Sequence, residues 1–424
     1  MARPLSFGIE LEFALAYVPN NINPHPWPHE TRCTRFTPTA DDWRTYSQGW
    51  LYDTFSTRDN FEDNPIASAQ VYQETIERTL RHALRRAGYP VNISRDDRGN
   101  IDRWDVKNDV SNGAPEGESQ YSYAQIEVVS PAYYYAGDAK QAIKNVCALL
   151  ANSYCVNTNS TTGFHVHIGN GLDGFPFHTI RNLAAFLWIF EPQLNMLHAE
   201  HRQNDVAVHC RSTRRNAFFS WEQFQESGKY PSVYEGAVQI MSYKDADALV
   251  GDTYGGRDRA YNFTGFSDRY STSSKATLEF RQHAGTLDGD AVVNWVEVCH
   301  GIVDYIQHIS PVEMDRLVQF SKLETWEETG DPKADAEMEA KFGPVLAKGK
   351  FTVIDLLRYL KLDAQAEYYS QMVQEKIEYS LSSSDTKGSE SPDFFAAGDF
   401  FDEFLQAGSD TSEGKDQSTT ASST

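Results

Sequence analysis

Residues 5–15, LSFGIELEFAL, alternate so strictly that they constrain the fold more than any other segment. The odd positions Leu5, Phe7, Ile9, Leu11, Phe13 and Leu15 are all apolar, while Glu10 and Glu12 share the even positions with Ser6, Gly8 and Ala14. A period of two is the signature of a strand, so both carboxylates project from one face. Three later segments repeat the design. FHVHI at 164–168 sets Phe164, Val166 and Ile168 against His165 and His167, and TLEFRQH at 277–283 sets Leu278 and Phe280 against Glu279, Arg281 and His283. AQIEVVSP at 124–131 carries Glu127 between Ile126 and Val128, with Pro131 ending the run.

An ordinary solvated strand face carries Thr, Ser, Lys and Gln, whereas these four supply four Glu, three His and one Arg. On neighbouring strands of one sheet the carboxylates would lie about 5 Å apart, and each ionised pair would repel by roughly 3 kcal/mol at an effective dielectric of about 20. Such a face needs cations or shared protons. Several carboxylates with one imidazole suit Mg²⁺ or Mn²⁺. The two histidines of 164–168 could instead chelate zinc with His283 or a Glu, which keeps a metallohydrolase as the competing enzyme class.

The 424 residues hold 38 Lys plus Arg against 60 Asp plus Glu, a formal charge of −22. That field opposes nucleic-acid binding. The longest uncharged apolar run, 183–190, is far short of the roughly 20 residues of a membrane span, and no apolar leader opens the sequence, so no membrane role and a cytoplasmic location are expected. Five scattered cysteines without a CxxC argue against a disulfide framework or a zinc knot.

The fold class is α+β: helical periodicity covers 68–87, 138–154, 178–201, 288–309, 352–360 and 364–381, mixed with the strands and not in regular βαβ order. Asp288 reads as an N-cap, and Pro192 is expected to kink or end the third helix. The segment 19–65, rich in Pro, Asn, Asp and Trp, reads as an irregular excursion and a candidate lid. From residue 382 the chain holds 15 Ser or Thr and nine acids against two lysines, a disordered tail after a single domain at 1–381. Within the tail FFAAGDFFDEFL, with Phe394 at its start and Leu405 at its end, is a candidate segment for docking on a protein partner. GNGLDG at 169–174 matches GxGxxG after a strand, but His165 and His167 are foreign to a Rossmann first strand, so a turn is expected. P-loop and GxSxG patterns are absent.

An ordered series of motifs, GIELEF (8–13), WDVKNDVS (104–111), IEVVSP (126–131), GFHVHIG (163–169) and LEFRQHAGTLD (278–288), resembles the amidoligase family of carboxylate-amine ligases, related to glutamine synthetase and glutamate-cysteine ligase. The resemblance spans about residues 5 to 310 and implies a curved antiparallel sheet with helices packed on one face, as in a glutamine-synthetase-like catalytic domain. It further implies ATP and Mg²⁺ (or Mn²⁺) as cofactors, and amide or isopeptide formation through an acyl phosphate between small-molecule or peptide carboxylates and amines. On that basis Glu10, Glu12, Glu127, His167 and Glu279 are expected metal ligands. Arg281 is expected at the transferring phosphate, and His165 or Asp109 at the attacking amine. Arg211, Arg214, Arg215 and Arg259, with Arg257, are candidates for anionic groups of nucleotide or substrate. The non-enzymatic alternative is a ligase fold kept as a binding module.

Overall fold

The computed structural model describes residues 4–20, 22, 25, 27–40, 42, 65–93, 100–117, 119–203, 209–271, 275–323, 331–334 and 351–384. The tail segment 394–405 and much of the 19–65 excursion lie outside these residues. Strands run β1 (Ser6–Tyr17), β2 (Asp105–Asn108), β3 (Ser122–Val129), β4 (Tyr133–Tyr134), β5 (Val156–Asn157), β6 (Gly163–Gly169), β7 (Tyr261–Asn262) and β8 (Thr277–Ala284). Helices run α1 (Pro65–Arg86), α2 (Gly137–Ser153), α3 (Phe177–Ile189), α4 (Glu191–Asn195), α5 (Thr213–Asn216), α6 (Phe218–Ser227), α7 (Val233–Ser242), α8 (Ala246–Thr253), α9 (Gly289–His308), α10 (Pro311–Phe320), α11 (Val353–Tyr359) and α12 (Asp363–Ser384).

The chain is α+β, built on an eight-stranded sheet in the order β2-β3-β1-β6-β8-β7, with β4 and β5 also pairing β1. Every strand pair is antiparallel. The chain forms two compact units. The first comprises Met1–Pro176, His198–Thr213 and Tyr254–Asp304, and holds the whole sheet; the second comprises Phe177–Leu197, Arg214–Thr253 and Tyr305–Thr424.

In the first unit the alternation seen in the sequence becomes burial. Ile9, Leu11 and Phe13 of β1, Ile126 and Val128 of β3, Phe164, Val166 and Ile168 of β6 and Leu278 and Phe280 of β8 are fully buried. Each such side chain contributes on the order of 2 kcal/mol relative to exposure, enough to hold every strand in the register that keeps its charged residues on the other face. Trp295 of α9 meets the Phe280 ring edge-on at 6.1 Å. Asp288 caps α9 as expected, its Oδ1 accepting from the Asp290 and Ala291 amides. Where β2 ends, Gln73 of α1 completes the edge of β3, its carboxamide donating to Gln125 O and accepting from Gln125 N at 2.9 Å each. GNGLDG forms a turn with Gly171 and Gly174 at positive φ, closed by Asn170 Nδ2 on Gly174 O.

In the second unit Pro192 ends the expected 178–201 helix: α3 stops at Ile189, and α4 restarts with proline in its first turn, where no amide donor is required. Helices α5 to α8 and α10 were not anticipated; α6 lacks a clean apolar stripe, while α7 carries a capping box at Ser232 and Glu235. Gly236 of α7 lets this helix approach Trp188 of α3 closely. Among the described residues no helix is long and apolar enough to cross a membrane, and none of the five cysteines is in a disulfide.

Candidate metal and catalytic site

Strand register assembles the charged face. Pairing sets Lys107 beside Glu127 and Glu127 beside Glu12, then Glu10 beside His165, His167 beside Glu279, and Glu279 beside Asn262. Paired residues of antiparallel strands lie on the same face, and alternate residues of one strand share it, so these side chains occupy one face of the sheet from β2 to β7 in successive rows.

Glu10, His167 and Glu279 bring one ligand atom each within 4.8 Å of one another, the only such group among the described residues. His167 Nδ1 lies 3.1 Å from the Thr277 hydroxyl. A proton held there leaves the Nε2 lone pair facing the carboxylates. Glu10 Oε1 is 3.2 Å from Nε2 but out of line for a hydrogen bond, and that buried nitrogen has no hydrogen-bond partner. A buried, unpartnered imidazole nitrogen beside two carboxylate oxygens fits a divalent cation, and two oxygens with one nitrogen favour Mg²⁺ or Mn²⁺ over zinc.

His165 is buried among three carboxylates, its Nδ1 lying 3.3 Å from Glu10, 3.5 Å from Glu12 and 3.5 Å from Glu279. Burial by itself would raise the Glu10 carboxyl, but His167 and His165 override it and hold it well below the ordinary value. Glu279 is likewise lowered, with His167 and Arg281 outweighing burial. His167 is raised, since Glu10 and Glu279 outweigh the effect of burial. Glu127 differs: burial and the charge of Glu10 push it well up, against Lys107 Nζ at 2.9 Å. The carboxylates therefore divide in two. Glu10 and Glu279 belong to the metal group, Glu127 to Lys107, and Glu12 Oε2 accepts the Gly163 amide at 2.6 Å.

Arg281 forms an ion pair with Glu279, and its Nε donates to His209 O at 3.2 Å. His283 is a correction. Simple alternation sets it with Glu279 and Arg281, but a bulge places Arg281 and Gln282 together opposite His165, so His283 pairs with Phe164. Its ring packs at 5.3 Å from Phe164 and 6.2 Å from Trp295, on the apolar side, which removes it from any HxH zinc set. Asp109 stands just beyond β2, its Oδ1 accepting from the Ser111 amide and hydroxyl, and it makes no ion pair among the described residues.

Arg211 and Arg259 form an isolated bridge, with Asp258 between them at 3.5 and 3.0 Å. Burial lowers Arg259, against the pull of Asp258. Arg214 and Arg215 belong to the second unit, where Arg214 donates to the Trp188 and Ile189 carbonyls that end α3. Arg257 is exposed.

Three site residues escaped the sequence reading. Lys107 was visible as the polar neighbour of Val106 in a short strand. Asn262, whose Nδ2 donates to Glu279 Oε2 at 2.7 Å, lies on a two-residue strand with no period to read. Buried Arg202 donates through Nη2 to Arg281 O at 2.6 Å, at the bulge, and comes from a 3₁₀ turn far away in sequence. Arg202, His165 and Glu12 converge on Gly163, where a Cβ would lie 2.7, 2.8 and 3.1 Å from their polar atoms.

The sheet thus carries a carboxylate-rich face with a candidate metal-binding group and an adjacent guanidinium. Residues 3–303 match a family model described as "Putative amidoligase enzyme", and the chain belongs to this amidoligase family. No curated protein matches the chain.

Proposed function

We propose that this protein is an ATP- and Mg²⁺-dependent carboxylate-amine ligase, and that its sheet is the catalytic face of a glutamine-synthetase-like domain. The observation that carries the reading is the Glu10–His167–Glu279 group, with Arg281 paired to Glu279, on the sheet of an amidoligase-family chain. A carboxylate is a poor electrophile. In this reaction its oxygen attacks the γ-phosphorus of ATP and ADP leaves; the amine then attacks the acyl carbon, loses a proton and displaces phosphate. A divalent ion at Glu10, His167 and Glu279 would supply charge neutralisation at the phosphates.

The chain's own residues do the rest. Thr277 orients His167, Asn262 orients Glu279, and Arg202 holds the bulge that presents Arg281. Arg281 provides a fixed positive charge for the transferring phosphoryl group. His165, surrounded by carboxylates, takes or holds the proton of the attacking amine. Arg211 and Arg259 bind an anionic group of nucleotide or acid. The substrates are a small-molecule or peptide carboxylate and an amine, with neither nucleic acid nor membrane involved, and segment 394–405 engages a protein partner.

Thermal unfolding of the dialysed protein with Mg²⁺, ATP, both together, or Zn²⁺ tests this. Saturation at about 100 times Kd stabilises by about 2.7 kcal/mol. The ligase reading expects a shift that needs Mg²⁺ and ATP together and disappears in Glu279→Ala, with Arg281→Ala keeping the shift and losing ADP release in the presence of acids and amines. A shift with Zn²⁺ alone and none with nucleotide would replace this reading with the metallohydrolase.

A further inference from the structure

We propose that Lys107 is a built-in cation of the carboxylate face, taking the place of a second divalent ion at Glu127, so that the protein binds one divalent cation per chain. The inference rests on the reading that Glu10, His167 and Glu279 hold a metal. Glu127 is directly paired with Glu12 on β1 and with Lys107 on β2. Two adjacent carboxylates on the same face as the metal group are what a second divalent ion would use, yet each already faces a fixed partner. Lys107 Nζ lies 2.9 Å from Glu127 Oε1, and Glu12 Oε2 accepts the Gly163 amide at 2.6 Å.

The lysine is held in place by its strand. Trp104 and Val106 are fully buried on either side of Asp105, Arg81 donates to Val106 O, and Arg81 Nε lies 3.8 Å from the Asp105 carboxylate. Edge strand β2 therefore has little freedom to withdraw. An ammonium is a compact point charge, so it balances one carboxylate without assembling the several oxygen ligands that Mg²⁺ or Mn²⁺ requires. Glu127 is 6% exposed, too dry to carry a charge cheaply without such a partner.

The test is titration of dialysed full-length protein with MnCl₂, reading free Mn²⁺ by its EPR signal. Wild type, Glu127→Gln and Lys107→Arg should each bind one Mn²⁺ per chain, and Lys107→Met should bind two; Lys107→Gln gives the same reading if the methionine variant does not fold. Two or more ions in wild type, one ion in both neutral Lys107 variants, or loss of the ion in Glu127→Gln would each overturn the inference alone. Wild type that binds no Mn²⁺ would overturn the metal reading along with it.

Discussion

Gly163→Ala is the sharpest probe of how the site is packed. The new methyl would stand 2.7 Å from Arg202 Nη2, 2.8 Å from His165 Nε2 and 3.1 Å from Glu12 Oε2. Ends of side chains usually swing aside, but these three are buried: Arg202 is 3% exposed, His165 2% and Glu12 5%. Overpacking of this kind costs about 1–3 kcal/mol. Displacing Glu12 also weakens its bond to the Gly163 amide, worth roughly 1.5–3 kcal/mol because the acceptor is charged. Against this stands about 0.5–1 kcal/mol gained by replacing a strand glycine. The balance is a loss of about 2–5 kcal/mol, which lowers Tm by several degrees in a calorimetric scan. Because Arg202 supports the Arg281 carbonyl and His165 sits among Glu10, Glu12 and Glu279, Mn²⁺ affinity should fall as well. A Tm within about 1 °C of wild type and unchanged Mn²⁺ binding would refute the packing argument.

Thr277→Val removes the hydroxyl facing His167 Nδ1 and should weaken Mn²⁺ binding about 10- to 100-fold, measured by the same EPR titration; an unchanged Kd would mean that Thr277 does not set the imidazole. In the second unit Gly236→Ala would place a methyl 2.0 Å from the buried Trp188 ring and should cost about 3 kcal/mol or more, making it the more damaging glycine replacement by denaturant titration. Thr352→Ala breaks the capping box with Asp355 at the start of α11 and should cost about 1 kcal/mol in the same assay. The metal-free protein should also show a signed pH dependence. His167 is raised above its ordinary 6.5, so its stabilisation is complete below that value and is lost as pH rises through the higher folded value. Glu127, raised above 4.5, acts in the same direction, while lowered Glu10 and Glu279 lose their contribution only as pH falls below about 4.5. Tm should therefore decline as pH rises from about 6.5, less steeply in His167→Gln; a flat profile for wild type would contradict the coupling.

The charged face was legible because period-two alternation is local: β1, β3 and β6 each reveal their faces within a few residues. What escaped is non-local. The bulge in β8 is a mismatch between two strands, so nothing in TLEFRQH announces that His283 leaves the face that Glu279 and Arg281 share. Arg202 and Asn262 reach the site from a 3₁₀ turn and a two-residue strand, both too short to carry a period. Lys107 was readable in principle, since Val106 beside it is apolar, but a four-residue strand is easily passed over. Arg214 shows a second use for such a cationic run, since it donates to the carbonyls that end α3.

The same geometry explains how four carboxylates can share one sheet face before any substrate arrives. Lys107 is 2.9 Å from Glu127 and Arg281 is paired with Glu279, so two of the four have a permanent cation at hand, while Glu12 accepts the Gly163 amide. Glu10 has only His165 and His167 beside it, and it is also the carboxylate at the heart of the metal group. A divalent ion there would therefore offset the negative charge that the fixed cations leave on this face. On the proposed ligase function, an anionic nucleotide would then meet a less negative face only when the metal is bound, and its affinity should depend on the metal.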